Sequence, residues 1–148
     1  MRKGSGLNKD KILRLIGFFD EALQGLRALQ AVPKEEVLAT TDRYALEHLF
    51  YRLAMSAIDI CFHISASLGG RVPETYKRCF DILFEQGLID WETRERLSRL
   101  AGLRNLIAHL YWQLDYELLY GFLEELDELE PFRRAVLDLL NEVGGDIR

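Results

Sequence analysis

The chain has 148 residues, of which 49% are hydrophobic, and its formal net charge is −5. This length suits one domain with a sizeable core, and the acidic balance excludes a surface that is basic overall, as many nucleic-acid-binding domains have. Because no run of about 18 apolar residues occurs and the basic N-terminus lacks an apolar core, we expect a cytoplasmic protein with no membrane span and no signal peptide.

Hydrophobic residues recur three and four positions apart throughout the chain. This spacing predicts an all-α fold, an antiparallel bundle of about five to six helices that forms one domain over residues 1–148. The first helix is expected to run from Asn8 to Gln30 and to end before Pro33, because proline lacks a donor and clashes with the preceding turn. The second is expected to begin near Thr40 or Thr41 and to stop at Gly69-Gly70.

The second helix is nearly all apolar, so it is expected to lie at the centre of the bundle. Four further helices are predicted: one spanning about Glu74–Gln86, one capped by Asp90 and running to about His109, one capped by Asp115, and one from Pro131 through Val143 that ends at Gly144-Gly145. The two cysteines, Cys61 and Cys79, fall in apolar helical stretches and are expected to be buried, reduced thiols.

A polar line interrupts the apolar second helix. Its members are His48, Arg52, Ser56, Asp59 and His63. Steps of four and three place them on one face, which meets water, lines a cleft or forms a subunit interface; Arg52, Asp59 and His63 are the candidates for lining a cleft. Asp59 and His63 are too few ligands for a metal, so we expect no metal site, and Asp59 is better suited to orienting His63.

Charge is distributed unevenly along the sequence. Residues 94–104 carry four arginines against one glutamate, which permits the local basic patch that an RNA substrate needs. Residues 115–130 form an acidic block, for which the simplest interpretation is a solvated helix face.

The segment with the clearest chemistry is 104–111. Asn105 and His109 are four apart and share a helix face, Arg104 can reach over the same area, and Tyr111 would return to that side if the helix persisted. A histidine can move the proton of a ribose 2′-hydroxyl, and an arginine can bind phosphoryl oxygens as their charge grows. This set suits RNA cleavage without a metal. The same spacing also fits a helix C-terminus where arginine and histidine meet the helix dipole favourably.

Arg104-Asn105-x-x-x-His109-x-Tyr111 resembles the R-x4-H-x-Y signature of HepT-type proteins in the HEPN superfamily. Other stretches are similar too, so the resemblance covers roughly residues 8–145. They are Arg43–Glu47, Ala57–Ile60, Pro73-x-x-Tyr76, Leu83-x-x-x-Gly87-Leu88-Ile89, Gly102–Asn105, His109–Trp112 and Asp115. One small departure is Ala108, where relatives commonly carry valine.

This resemblance implies a HEPN-like homodimer with two motifs facing each other. It implies a metal-independent ribonuclease without cofactor, acting on RNA and not DNA, with Arg104, Asn105 and His109 as catalytic residues. Such proteins are toxins of type VII toxin–antitoxin pairs. Their partner, a minimal nucleotidyltransferase of the MntA type, neutralises them by transferring AMP to the motif tyrosine, here Tyr111.

Two alternatives remain at this stage. The chain could be a non-catalytic HEPN-like module that binds a nucleotidyltransferase or a nucleotide, although the intact pair of Arg104 and His109 favours an enzyme. A purely structural dimerising bundle is the other alternative, and it would leave the polar line of the second helix without a purpose.

Overall fold

The structure, a computed structural model, describes residues 6–69 and 72–147. Within these residues the chain forms α-helices and two 3₁₀ segments and no strand, which confirms the all-α prediction. The helices are α1 (Lys9–Gln30), α2 (Lys34–Ala39), α3 (Asp42–Gly69), α4 (Tyr76–Glu85), α5 (Trp91–His109), α6 (Tyr116–Gly121) and α7 (Glu130–Ile147). The 3₁₀ segments are Tyr111–Gln113 and Phe122–Leu129. The second helix is expected to stop at Gly69-Gly70, and Gly70 lies outside the described residues.

Side-chain caps fix the start of four helices, at Asn8, Thr75, Asp90 and Asp115, and the sequence predicts the caps at Asp90 and Asp115. The Oδ1 atom of Asn8 accepts a hydrogen bond from the backbone N–H of Lys11 at 3.0 Å. Asp90 caps α5 in the same way, through the N–H of Thr93 at 2.8 Å. Asp115 caps α6 through the N–H of Glu117 at 2.9 Å. Each cap satisfies a backbone donor that the first turn of a helix leaves without a partner.

Glycine ends α4 but not α7. Gly87 has a φ angle of 76°, and the N–H of Leu88 bonds to the carbonyl of Leu83 at 3.0 Å, an arrangement that closes many helices. The predicted stop at Gly144-Gly145 is wrong, because α7 continues to Ile147. A glycine inside a helix costs only about 1 kcal/mol relative to alanine, so it does not end a helix by itself.

Two parts of the chain differ from the sequence prediction. Pro33 does follow the end of α1, but it also stands at the N-cap of the short helix α2, for which the sequence predicts no helix. Proline suits a helix start because it needs no intrahelical donor there. The helix expected after Asp115 is divided into α6 and the 3₁₀ segment Phe122–Leu129.

Helix α3 lies at the centre, as predicted, and packs against α1, α4 and α5. It approaches α1 closely at Gly25, where an added Cβ would lie 3.0 Å from Leu49. The stretch Asp42–Leu68 is long and apolar enough to meet the length and composition criteria for a membrane span. However, 56% of its most apolar window is buried inside the bundle, and a core helix has this composition because protein surrounds it on most sides.

Candidate active site

The three predicted catalytic side chains meet at the C-terminal end of α5. Nη1 of Arg104 donates to Oδ1 of Asn105 at 3.0 Å and lies 3.3 Å from Nε2 of His109. A guanidinium only donates, so where this contact is a hydrogen bond the lone pair of Nε2 accepts from Arg104. Asn105 and His109 are both exposed, so a substrate hydroxyl can approach Nε2 and replace Arg104 as its partner, as a general base requires.

The guanidinium of Arg104 rests on side chains from α3 and α4. Its Nε donates to the thioether sulfur of Met55 at 3.2 Å. Its central carbon lies 5.9 Å from the ring centre of Tyr51 and 5.4 Å from that of Tyr76. Such cation–π contacts hold a guanidinium over a ring without neutralising its charge. In the described part of the chain, Nη2 of Arg104 has no hydrogen-bond partner, so two N–H groups remain for a ligand.

Sequence reasoning missed this support. Tyr51 and Met55 lie four apart on α3, and Asp59 follows four positions later. The spacing of these residues was therefore a signal that they share a face. Tyr76 belongs to the stretch Pro73-x-x-Tyr76 that resembles the family, but no sequence pattern indicates its contact with Arg104.

Arg104 differs from the other arginines of α5. It has no carboxylate within ion-pair distance in the residues that the structure describes. The others are paired: Arg94 with Asp81 at 2.6 Å and with Glu95, Arg96 with Glu125 at 3.1 Å and Glu128 at 2.7 Å, and Arg99 with Glu125 at 2.9 Å. The run 94–104 therefore does not form the basic patch that the sequence permits.

The acidic block supplies several of these partners. Glu125 and Glu128 bind arginines of α5, and Asp127 binds Arg27 of α1 at 2.8 Å. The interpretation of the block as a plain solvated face is thus incomplete, because these three carboxylates attach the segment Phe122–Leu129 to two helices.

The polar line of α3 divides in the structure. Arg52 turns towards α1, where it pairs with Glu21 at 3.2 Å and lies 5.7 Å from the ring centre of Phe18. Ser56 is buried, and its hydroxyl donates to the backbone carbonyl of Arg52 at 2.9 Å. Two members of the line therefore have partners in their own helix or in α1.

Asp59 and His63 are half-buried. Burial raises the pKa of the Asp59 carboxyl, while the charges of His63, Lys11 and Arg104 act in the opposite direction. Asp59 therefore lies within electrostatic reach of the candidate site. Arg52, Asp59 and His63 line neither the groove between α4 and α5 nor the groove between α3 and α5. The prediction that these three residues line a cleft therefore stays a prediction.

Two grooves open on either side of α5 near Arg104. The first, called the α4–α5 groove, has a volume of about 670 Å³ and is lined by Glu74, Thr75, Tyr76, Lys77, Phe80, Glu95, Ser98, Arg99, Ala101, Gly102 and Asn105. The second, the α3–α5 groove, has a volume of about 400 Å³ and is lined by Tyr44, Glu47, His48, Tyr51, Ile107 and Ala108. The guanidinium of Arg104 contacts one tyrosine from each groove.

Tyr111 does not return to the face of α5, because the helix ends at His109 and Tyr111 begins a 3₁₀ turn. Its side chain is 66% exposed, and its hydroxyl has no hydrogen-bond partner among the described residues. The two tyrosines that follow are bound: Tyr116 donates to Glu47 at 2.5 Å, and Tyr120 donates to the carbonyl of Val32 at 3.5 Å. Burial and the bond to Glu47 raise the pKa of Tyr116 to about 12.

Proteins of similar sequence carry ribonuclease names. The sequence model of a family described as ribonuclease HepT-like matches residues 19–136. A protein of Archaeoglobus fulgidus, provisionally named an RNase, is 31% identical over 141 residues, which cover 93% of this chain and 98% of the relative. The mRNA nuclease HepT of Shewanella oneidensis is 27% identical over 82 residues, which cover 55% of this chain and 62% of that relative.

Solved structures share the fold. The cytosolic protein of unknown function YutE from Bacillus subtilis is similar with a TM-score of 0.78 and 20% identity, over 93% of each chain. A tri-AMPylated HEPN toxin of Shewanella oneidensis, in complex with an MNT antitoxin, is similar with a TM-score of 0.77 and 19% identity, over 86% of this chain and 96% of that one. At these identities the similarity concerns the fold.

Proposed function

Because this chain belongs to the HepT-like ribonuclease family, we propose that it is a metal-independent endoribonuclease with Arg104, Asn105 and His109 as its active site. The observation that carries the proposal is the contact of one arginine with both other residues, at 3.0 Å and 3.3 Å. Nη2 of the arginine keeps two N–H groups without a partner in the described residues, next to an exposed imidazole, so a phosphate can bind Arg104 while the neighbouring hydroxyl replaces it at Nε2 of His109.

In the proposed reaction, Nε2 of His109 takes the proton of a ribose 2′-hydroxyl. The 2′-oxygen then forms a bond to the adjacent phosphorus, the bond from phosphorus to the 5′-oxygen breaks, and that oxygen receives a proton. The products are a 2′,3′-cyclic phosphate and a 5′-hydroxyl. The free N–H groups of Arg104 bind the phosphoryl oxygens as negative charge builds on them.

One imidazole fills the acid and base roles less easily than two. We therefore propose a homodimer in which a second Arg104-Asn105-His109 cluster faces the first across a two-fold axis. Arg52, Asp59 and His63 are then candidates for the wall of the shared cleft. Light scattering at micromolar concentration tests this part, and a fully active monomer would exclude a shared site.

We further propose that the chain is a cytoplasmic toxin of a type VII pair and that a minimal nucleotidyltransferase of the MntA type neutralises it at Tyr111. The hydroxyl of Tyr111 attacks the α-phosphorus of ATP, and pyrophosphate leaves. The exposure of Tyr111 supports this assignment, as does the AMPylated toxin with a similar fold. The added AMP carries a negative charge close in sequence to Arg104 and His109, where it would occupy the phosphate position.

Incubation of the purified protein with total RNA in a chelator tests the ribonuclease proposal. Wild type should cut RNA and leave cyclic phosphate ends, and His109→Ala should lose about 10²–10⁴ in rate. Arg27→Ala, which removes an exposed arginine of α1, is the control and should remain active. Full activity in folded His109→Ala would refute the site.

The alternative of a non-catalytic module predicts a different outcome. In that case wild type and His109→Ala would both leave RNA intact, while a nucleotidyltransferase would still bind the chain or modify Tyr111. The placement of an exposed imidazole beside Arg104 favours the enzyme.

A further inference from the structure

The α4–α5 groove shares a residue with the candidate active site. Asn105 lines the groove, and its Oδ1 accepts the hydrogen bond from Arg104. The volume of about 670 Å³ lies in the range of pockets that hold small organic groups. A nucleotide whose phosphate binds Arg104 can therefore extend into this groove without crossing protein.

The polar groups of the groove suit a base more than a second phosphate. Glu74 and Glu95 contribute carboxylates to the lining, and carboxylates repel phosphate. Lys77 and Arg99 also line the groove, but Glu125 already binds Arg99 at 2.9 Å. Asn105 presents an exposed side-chain amide to the groove, and an amide can bond to the polar edge of a base.

The groove also offers an aromatic surface and open space. The ring of Tyr76 lies at 85° to that of Phe62, with centres 5.8 Å apart, and the guanidinium of Arg104 lies 5.4 Å from its centre. Bases contact aromatic side chains in many single-strand-binding proteins. Phe80 and Ala101 supply apolar lining. An ideal Cβ at Gly102 would meet no heavy atom within 4 Å, so the glycine leaves the groove unobstructed.

We propose that the α4–α5 groove binds the base of the RNA nucleotide adjoining the scissile phosphate, with the base packed against the aromatic lining and Asn105 bonding to its edge. This inference rests on the proposed ribonuclease function. It adds that the base in this groove determines which RNA positions are cut.

Gly102 permits a direct test. Gly102→Leu places a side chain in the groove, and leucine has a higher helix propensity than glycine. Gly17→Leu is the matched control, because Gly17 also lies in a helix with no heavy atom within 4 Å of an ideal Cβ but does not line the groove. Both are combined with His109→Ala, and binding of a labelled single-stranded RNA of mixed sequence is measured. We expect Gly102→Leu to weaken binding about tenfold or more and Gly17→Leu to leave it unchanged.

Equal RNA affinity of His109→Ala alone and of the two double variants would overturn the inference. Equal losses of affinity in both leucine variants would also overturn it, as would no measurable RNA binding by any of the three proteins. A change of oligomeric state in Gly102→Leu, measured by light scattering, would show that the groove is an interface between copies instead. With His109 restored, Gly102→Leu should change the set of cut positions in total RNA, and an unchanged set would also count against the groove. If wild type cuts no RNA, the proposed function fails, while the binding measurement still decides the inference.

Discussion

In the first half of α5, Arg94, Arg96 and Arg99 each bind a carboxylate, whereas in the second half Arg104 binds only a sulfur, an amide oxygen and a ring nitrogen. A carboxylate offsets the charge of the guanidinium. Neutral acceptors fix its orientation and leave the charge for a phosphate. The chemical nature of the partner, more than the number of arginines, therefore distinguishes Arg104, the arginine proposed to bind substrate, from the ion-paired arginines of this helix.

The tyrosines after α5 differ in the same way. Tyr116 donates to Glu47, while Tyr111 is exposed and its hydroxyl has no partner in the described part of the chain. In the segment 104–111, Nη2 of Arg104 and the hydroxyl of Tyr111 thus have no partner among the described residues. The arginines before this segment and Tyr116 after it are bound to carboxylates. The predictions below test this contrast.

The largest effect is expected from Arg104→Ala. Loss of a positioned donor to developing charge typically lowers the rate by about 10²–10³, so RNA cleavage in chelator should fall by that factor. Arg104→Lys should not restore it, because an ammonium lacks the planar fork. Arg96→Ala removes a paired arginine of the same helix and should keep nearly full activity. An RNA-cleavage rate of Arg104→Ala within a few-fold of wild type would show that Arg104 does not differ in function from the ion-paired arginines of α5.

The next effect concerns modification. After incubation with the cognate nucleotidyltransferase, ATP and Mg²⁺, wild type should gain one or more AMP units in intact mass, and Tyr111→Phe should gain none. Tyr116→Phe should be labelled like wild type, because Glu47 holds its hydroxyl. Tyr111→Phe should also keep some RNase activity, because Tyr111 is not one of the three residues proposed to act on the substrate. Equal labelling of wild type and Tyr111→Phe would transfer the site to another residue.

Arg94→Ala should lower stability and leave the chemistry intact. Its side chain is only 12% exposed, pairs with Asp81 and lies 4.6 Å from the ring centre of Trp91. We expect the free energy of unfolding in urea to fall by about 1–2 kcal/mol, between the values typical of exposed and buried pairs. The control is Arg78→Ala on α4, where the more exposed pair with Glu85 should contribute little. A cleavage rate that fell with Arg94→Ala as it does with Arg104→Ala would contradict the contrast.

Alkaline pH tests the bound tyrosine. The pKa of Tyr116 is raised from 10.0 to about 12 by burial and by the bond to Glu47. A raised pKa means that its contribution to stability is present below pH 10 and is lost as the pH rises from 10 to 12. Tyrosinate absorbance should show one late-titrating tyrosine, which Tyr116→Phe removes. A titration of wild type without a late step would show that the bond to Glu47 is absent in solution.

The smallest effect is expected from Asp59→Asn. Burial raises the pKa of Asp59, so its contribution to stability is full below pH 3.8 and is lost as the pH rises through the raised value. Asparagine stays neutral, and the variant should therefore melt slightly higher than wild type at pH 7 and show no such gain at pH 3. A variant that melts lower at pH 7 would mean that the charges of Lys11, His63 and Arg104 outweigh the burial of Asp59.

Sequence patterns were sufficient for the local parts of this molecule. The caps at Asn8, Asp90 and Asp115 depend on contacts two or three residues away, and the meeting of Arg104 with His109 depends on a separation of five. Helical periodicity fixes such contacts, so the fold class and the candidate site could both be predicted.

The missed features depend on contacts between distant residues. Arg99 meets Glu125 across 26 positions, and Arg104 meets Met55 across 49. Charge and hydrophobic patterns show that these side chains are available, but they do not show which helix lies next to which. For this reason the sequence permitted a basic patch where the structure has ion pairs, and it did not identify Tyr51 and Met55 as the support of Arg104.

The separation of 49 residues between Met55 and Arg104 also bears on folding. Helix formation takes about a microsecond or less, whereas contacts between helices distant in the chain form later. Arg104, Asn105 and His109 therefore meet as soon as α5 forms, but the guanidinium gains its fixed orientation only when α3 and α4 have packed against it. A partly folded chain thus contains the three candidate residues without the support that aligns them, and the proposed RNA-cleaving activity should appear together with the last tertiary contacts.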